Sequence, residues 1–161
     1  MPRKNKSEKI NITLCVGDNK VKTLCFFGSR NLYNEDVKTQ IHIQVLRFNP
    51  STIITAGDAN GICRLTREYA KENAIPLKLH FLNKKYGRGM YHHRSLAVLQ
   101  ECEYAIFIWD GKSKGTSNEL ELAKKLGKPW RLIQMESNTD EINIKEIEDL
   151  QLNLTDLCLE N

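Results

Sequence analysis

Between Thr23 and Gln134 the hydrophobic positions follow two alternating rhythms. Short runs that are almost wholly apolar alternate with longer stretches in which apolar residues return every three or four positions. The first rhythm suits a strand covered on both faces, the second a helix covered on one. Thr23–Phe27 (TLCFF), ending at Gly28, predicts a buried strand. Asn34 predicts the N-cap of a helix carrying Val37, Ile41, Val45 and Phe48. Pro50 and Ser51 break it, and Thr52–Thr55 predicts the second strand. Ile62, Leu65, Tyr69 and Ala70 mark a second helix ending near Asn73. Pro76 opens a third strand, LKLHF. A polar loop over Lys84–Gly89 then leads to a third helix that Arg94 would start, with Leu96, Leu99 and Cys102 inward. Tyr104–Trp109 is the fourth strand and Ser117–Leu126 the fourth helix, closed by Gly127 and Pro129. Trp130–Gln134 is the fifth strand.

Strands alternating with helices give a parallel sheet with right-handed crossovers and helices on both faces. The expectation is a Rossmann-like three-layer α/β/α fold of about five mainly parallel strands over residues 23–134. Residues 10–22 read as an N-terminal edge hairpin, and 136–161 as an acidic tail to which no element is assigned. A chain of 161 residues suits one domain with a real core.

Charge is divided along this frame. Residues 1–9 carry four bases and one acid, whereas residues 136–161 carry one base and eight acids. The formal net charge of +4 therefore hides a basic body, which favours an anionic ligand. No apolar run approaches the roughly 20 residues of a bilayer span, so no membrane partner is expected. Five scattered cysteines without a CxxC pair point to reduced thiols and a cytoplasmic protein.

In a doubly wound sheet, ligands bind beyond the carboxyl ends of the strands where the winding reverses. With strand order 3-2-1-4-5, three turns meet there. They are Gly28-Ser29-Arg30 after strand one, Gly57-Asp58-Ala59-Asn60-Gly61 after strand two, and Asp110–Glu119 after strand four. Glycines at 57 and 61 allow backbone N–H groups to approach a phosphate, or serve only a tight turn. Arg30 can clamp an anion or be merely solvated. Asp110, Gly111, Ser113, Gly115 and Thr116 lead into a helix whose positive end suits phosphate, with Thr116 a ligand contact or an N-cap. An acid so near an anion site is unhelpful for the anion, so Glu119 is expected to face a sugar. His92-His93 does not form a metal site, because neighbours on a helix do not share a face and no further ligands complete a set. Neither metal nor cofactor is expected.

Taken together, Gly28-Ser29-Arg30, Ala56–Gly61, Lys85-Tyr86-Gly87, His93-Arg94 and Trp109–Thr116 resemble the SLOG superfamily, especially its YspA/YpsA-related branch. The resemblance covers about Thr23 to Ile133. It implies a Rossmann-like fold that binds nucleotides, nucleotide-sugars or nucleic acid, commonly as a homo-oligomer. The LOG-type phosphoribohydrolases of that superfamily cut the N-glycosidic bond of a riboside monophosphate. Arg94 and Gly115-Thr116-Ser117-Asn118-Glu119 match their arginine and GTxxE motifs, which implies catalytic roles for Arg94 and Glu119. The PGG before GT is here Asp110–Lys114, and a second acid of that motif is Asn118. Cys63 stands where the YspA-like branch usually has aspartate, and Ser95 where it has asparagine.

Three functions follow as expectations. The first is binding of a nucleotide-derived small molecule, with hydrolysis of its N-glycosidic bond. The second is a non-catalytic sensor or sequestering protein for a nucleotide second messenger in bacterial or phage conflict. The third is DprA-like binding of single-stranded DNA, with Tyr86 and Tyr91 stacking bases among Lys84, Lys85 and Arg88.

Overall fold

A computed structural model describes residues 20–136. Five strands form one all-parallel sheet in the order β3-β2-β1-β4-β5. They are β1 (Thr23–Gly28), β2 (Thr52–Ala56), β3 (Leu77–His80), β4 (Tyr104–Trp109) and β5 (Trp130–Gln134). Four helices connect them: α1 (Glu35–Phe48), α2 (Gly61–Glu72), α3 (Met90–Glu101) and α4 (Lys114–Lys125). A 3₁₀ segment (Lys84–Gly89) precedes α3. This is the expected three-layer Rossmann-like arrangement. The hairpin expected at 10–22 and the acidic tail at 136–161 lie almost wholly outside the described residues. No described helix is long and apolar enough to cross a membrane.

Two apolar layers sandwich the sheet. On one face Leu24, Phe26, Ile53 and Ile106 pack with Val37, Ile41 and Phe48 of α1 and with Ile62, Leu65 and Tyr69 of α2. On the other, Cys25, Phe27, Ile54 and Phe107 meet Val98 and Leu99 of α3 and Leu120 and Ala123 of α4. Alternation along β1 explains the split, since neighbouring side chains point to opposite faces. Phe27 and Phe107 stack across the central strands with ring centroids 5.2 Å apart. Truncating either would cost roughly 3–5 kcal/mol.

Helix starts are where the sequence reading needs correction. α3 begins at Met90, so Arg94 lies in its second turn and points inward with Ser95. Leu96 is only half-buried, and Val98 takes the core position instead. α4 begins at Lys114, with Ser113 in the N-cap position, so Thr116 is inside the helix and Glu119 falls in the second turn. A glycine at 115 weakens a helix, which is why the sequence suggested a later start. Nothing lies within 4 Å of a Cβ built there, so the position is open.

Candidate functional site

Placing β1 beside β4 puts the winding reversal at the centre of the sheet. At its carboxyl edge is a cleft of about 890 Å³, within the range of small-molecule sites. Gly28, Ser29, Arg30 and Asn31 of the β1–α1 turn line it, with Asp58 from the β2–α2 turn. Tyr91, Arg94 and Ser95 of α3, Ser113 at the N-cap of α4, and Gly115, Thr116, Asn118 and Glu119 of α4 also line it, as do Arg88, His92, Glu121, Leu122 and Lys125. Nine of the fourteen residues named from sequence thus share one cavity. Gly57, Ala59, Gly61, Asp110 and Gly111 do not line it.

These five nonetheless shape the cleft, or flank what does. Gly61 has φ +67°, and a Cβ there would overlap the Arg30 Cα and the Ser29 carbonyl. Its missing side chain lets the β1 and β2 turns touch, bringing Arg30 and Asp58 to one wall. The space above Gly57 is filled by the Phe81 ring, and its N–H donates to the His80 carbonyl at 2.9 Å. That N–H is committed to the sheet edge and is not free for an anion. Ala59 is exposed beside this turn. Gly111, with φ +81°, makes the bend after β4.

Asp110 organises the loop before α4. Its carboxylate accepts from the Lys112 N–H at 2.9 Å, the Ser113 N–H at 2.8 Å, the Asn31 amide at 2.9 Å and the Ser29 hydroxyl at 3.1 Å. Burial opposes its ionisation, but these donors outweigh burial and hold it well below the usual carboxylate range. The Ser29 hydroxyl is tied to Asp110 as well, because it also accepts the Asp110 N–H at 3.0 Å.

Arg94 is 7% exposed and faces Asp58, 18% exposed, in a two-pronged ion pair of 2.7 and 3.2 Å. A guanidinium so buried needs a counterion, and Asp58 supplies it. Sequence reasoning gave Arg94 directly to the ligand. Here its terminal nitrogens are engaged by Asp58, and its Nε has no partner among the described residues. Arg67 holds the same turn from behind, donating to the main-chain carbonyls of Ala56 at 3.2 Å and Asp58 at 2.5 Å.

Glu119, in the second turn of α4, accepts a hydrogen bond from the Ser95 hydroxyl at 3.3 Å. Burial is the main influence on its carboxyl and raises its pKa to about 7; Arg94 and the Ser95 hydrogen bond pull it down, while Asp58 pushes it up. A carboxyl titrating near neutrality suits proton transfer or charge stabilisation. The exposed Tyr91 ring lies 5.7 Å from the Arg30 guanidinium and 5.6 Å from that of Arg94, closing one side. Tyr86 stacks on His93 at 3.6 Å, and neither lines the cleft.

Arg67, Ser95, Tyr91 and Arg88 were not assigned cleft roles from the sequence. Ser95 had one usable signal: it adjoins Arg94 four residues before Leu99, on the inward side of the third helix. The fold and cleft together define a Rossmann-like α/β domain with an ionic pocket at its winding reversal. No family model matches the sequence, and no curated protein matches it either.

Proposed function

We propose that the cleft binds a nucleotide or nucleotide-sugar derivative and hydrolyses its N-glycosidic bond, in the manner of the LOG-type members of the SLOG superfamily. One observation carries this reading: the uncapped start of α4 and the Glu119 carboxyl open into the same cavity. Gly115 and Thr116 precede Glu119 by four and three residues, so all three share one helix face about 5.4 Å, one turn, apart. That spacing is comparable to the separation of a 5′-phosphate from the anomeric carbon of ribose.

In this reaction the backbone N–H groups at the helix start and the Thr116 hydroxyl hold the phosphate. Arg30, exposed at the rim, meets its remaining charge. Water attacks the anomeric carbon and the C–N bond breaks. The departing base keeps the bonding electrons and takes up a proton. Glu119, oriented by Ser95, faces the positive charge that develops on the sugar. Because the ionised form is required, the rate should rise with pH up to about 7 and then level off. Arg94 acts through Asp58 as a positioning residue.

Chromatography of nucleoside monophosphates and NAD-like dinucleotides after incubation with the protein tests the reading. Free base should appear with wild type and not with Glu119→Ala. No base release from any of them removes the enzyme.

A binding protein without turnover is the second reading, favoured by the engagement of Arg94 with Asp58. Denaturing the purified protein would then release an intact nucleotide. A cytoplasmic location rests on the scattered cysteines of the sequence, of which Cys25, Cys63 and Cys102 are buried thiols among the described residues, and light scattering tests the homo-oligomer that the resemblance implies.

A further inference from the structure

We infer that Cys25 and Cys102 form a redox modification site, a buried dithiol that hydrogen peroxide closes to a disulfide and a small dithiol reopens. The site lies outside the cleft and stands apart from the nucleotide reading.

Alternation along β1 turns Cys25 and Phe27 to the sheet face that α3 and α4 cover. Cys102 is the C-cap of α3, on the inward row that runs through Ser95, Val98 and Leu99. Three hydrogen bonds clamp this helix end to the start of β1. The Thr23 hydroxyl donates to the Glu101 carbonyl at 3.2 Å. The Glu103 N–H donates to the Thr23 carbonyl at 3.1 Å and to its hydroxyl at 3.0 Å. Two residues further along β1, the Cys25 sulfur stands 2.8 Å from that of Cys102. A disulfide bond measures about 2.05 Å, so only a small approach separates the two states. Cys63, also buried, has no sulfur partner among the described residues.

The two thiols are unequal. The hydrogen bond from Cys25 and the nearby Lys128 ammonium hold the Cys102 thiol below its usual range, whereas burial pushes that of Cys25 up. Lys128 is anchored there by donating to the Cys102 carbonyl at 2.5 Å. Cys102 is therefore the nucleophile and Cys25 the resolving thiol. The Cys102 thiolate attacks peroxide: an S–O bond forms, the O–O bond breaks, and the departing hydroxide takes a proton to become water. The Cys25 sulfur then attacks that of Cys102. The S–S bond forms, the S–O bond breaks, and the hydroxyl leaves as water with the Cys25 proton. Each sulfur gives up one electron, and the two together reduce the peroxide. Entry is at the helix end, where Glu101 and Glu103 on either side of Cys102 are exposed. The competing possibility is that two inert thiols merely fill the layer between sheet and helices.

Peptide mapping of the full chain decides between them. Wild type in native buffer is treated with hydrogen peroxide, its remaining thiols are blocked in denaturant, and the digest is read by mass spectrometry. A cross-linked Cys25–Cys102 peptide should dominate while Cys63 stays a thiol, and dithiothreitol should restore both partners. The bridge joins positions 77 apart, so the oxidised form should melt about 10 °C higher. Both cysteines still blocked as thiols, or no preference for this pair beyond that seen in urea, overturns the inference. So does a cross-linked form that melts no higher than the reduced one, because the fold would not then have held the sulfurs in bonding position.

A second arm tests the roles. In Cys25→Ser, Cys102 should stop at the sulfenic acid and take up dimedone, whereas in Cys102→Ser, Cys25 should stay a thiol. The reverse pattern overturns the assignment of the nucleophile. Should either variant fail to fold, the wild-type map alone decides.

Discussion

The starts of α1 and α4 lie at the same edge of the sheet and are finished in opposite ways. At α1 the Asn34 side chain accepts from the Val37 N–H at 3.0 Å, and Glu35 and Asp36 stand in the first turn against the positive end. At α4 the Ser113 side chain makes no capping bond, no acid stands in the first turn, and the acid arrives one turn later as Glu119. The first helix start is satisfied by its own residues. The second is left open toward the cleft, which is the arrangement that a bound anion would complete.

Removing the displaced acid gives the largest expected effect. Glu119→Gln should lower base release by about 10²–10⁴-fold, measured by chromatography at pH 8, as expected for loss of a charge-stabilising or proton-transferring group. Closing the open start comes next. Gly115→Glu puts an acid in the first turn, where space is free, and should weaken nucleotide binding on the order of a hundred-fold by calorimetry. Its fold should be unharmed; unchanged binding would break the comparison.

Stability should depend on pH through the same carboxyl. Glu119 has a folded pKa raised to about 7, above its ordinary value, so the folded state binds the extra proton between those two values. Stability is therefore lost as pH rises through that window, and Glu119→Gln recovers it. Melting temperatures should show a gain on the order of 2 kcal/mol for Glu119→Gln at pH 8 and almost none at pH 4. The smallest effect belongs to the closed start. Asn34→Ala should cost about 1 kcal/mol in urea titration without changing ligand affinity, whereas Ser113→Ala should cost less than about 0.5 kcal/mol.

Sequence rhythm was enough to find the central strands because each of these is a dense apolar run, whereas the edge strands LKLH and WRLIQ were marked as much by Pro76 and Pro129 before them. Thr23–Gly28 and Tyr104–Trp109 are buried on both faces, and only that environment demands such density. Alternation with helices implied a parallel sheet, and the order 3-2-1-4-5, taken as a premise for the doubly wound pattern, is the one observed. The beginnings of α3 and α4 were less legible, since neither has a side-chain cap bond to advertise it. Gln40 and Gln44 lie fully buried in α1 with amides unpartnered among the described residues, where pattern alone would leave them in water.

The cleft was legible as a meeting of three turns, because topology alone brings their residues to one edge. What each side chain holds was not legible. The pairing of Asp58 with Arg94 spans 36 residues, and that of Ser29 with Asp110 spans 81. No local periodicity encodes such partners. Arg67 has the same composition signal as any solvated arginine, and only its two carbonyl contacts mark it as a brace for the Asp58 turn.

The central pairing of β1 with β4, in register from Leu24↔Tyr104 to Gly28↔Ile108, has a consequence for how the pocket moves. The cavity floor rests on the strands most enclosed by the rest of the molecule, whereas Arg88 in the 3₁₀ segment and Tyr91 in the first turn of α3 are exposed at its mouth. Amide protons of the floor should be released to solvent only when the whole domain opens, and those of the mouth in small, frequent excursions. A guest can thus be admitted by breathing at the entrance while the foundation stays still.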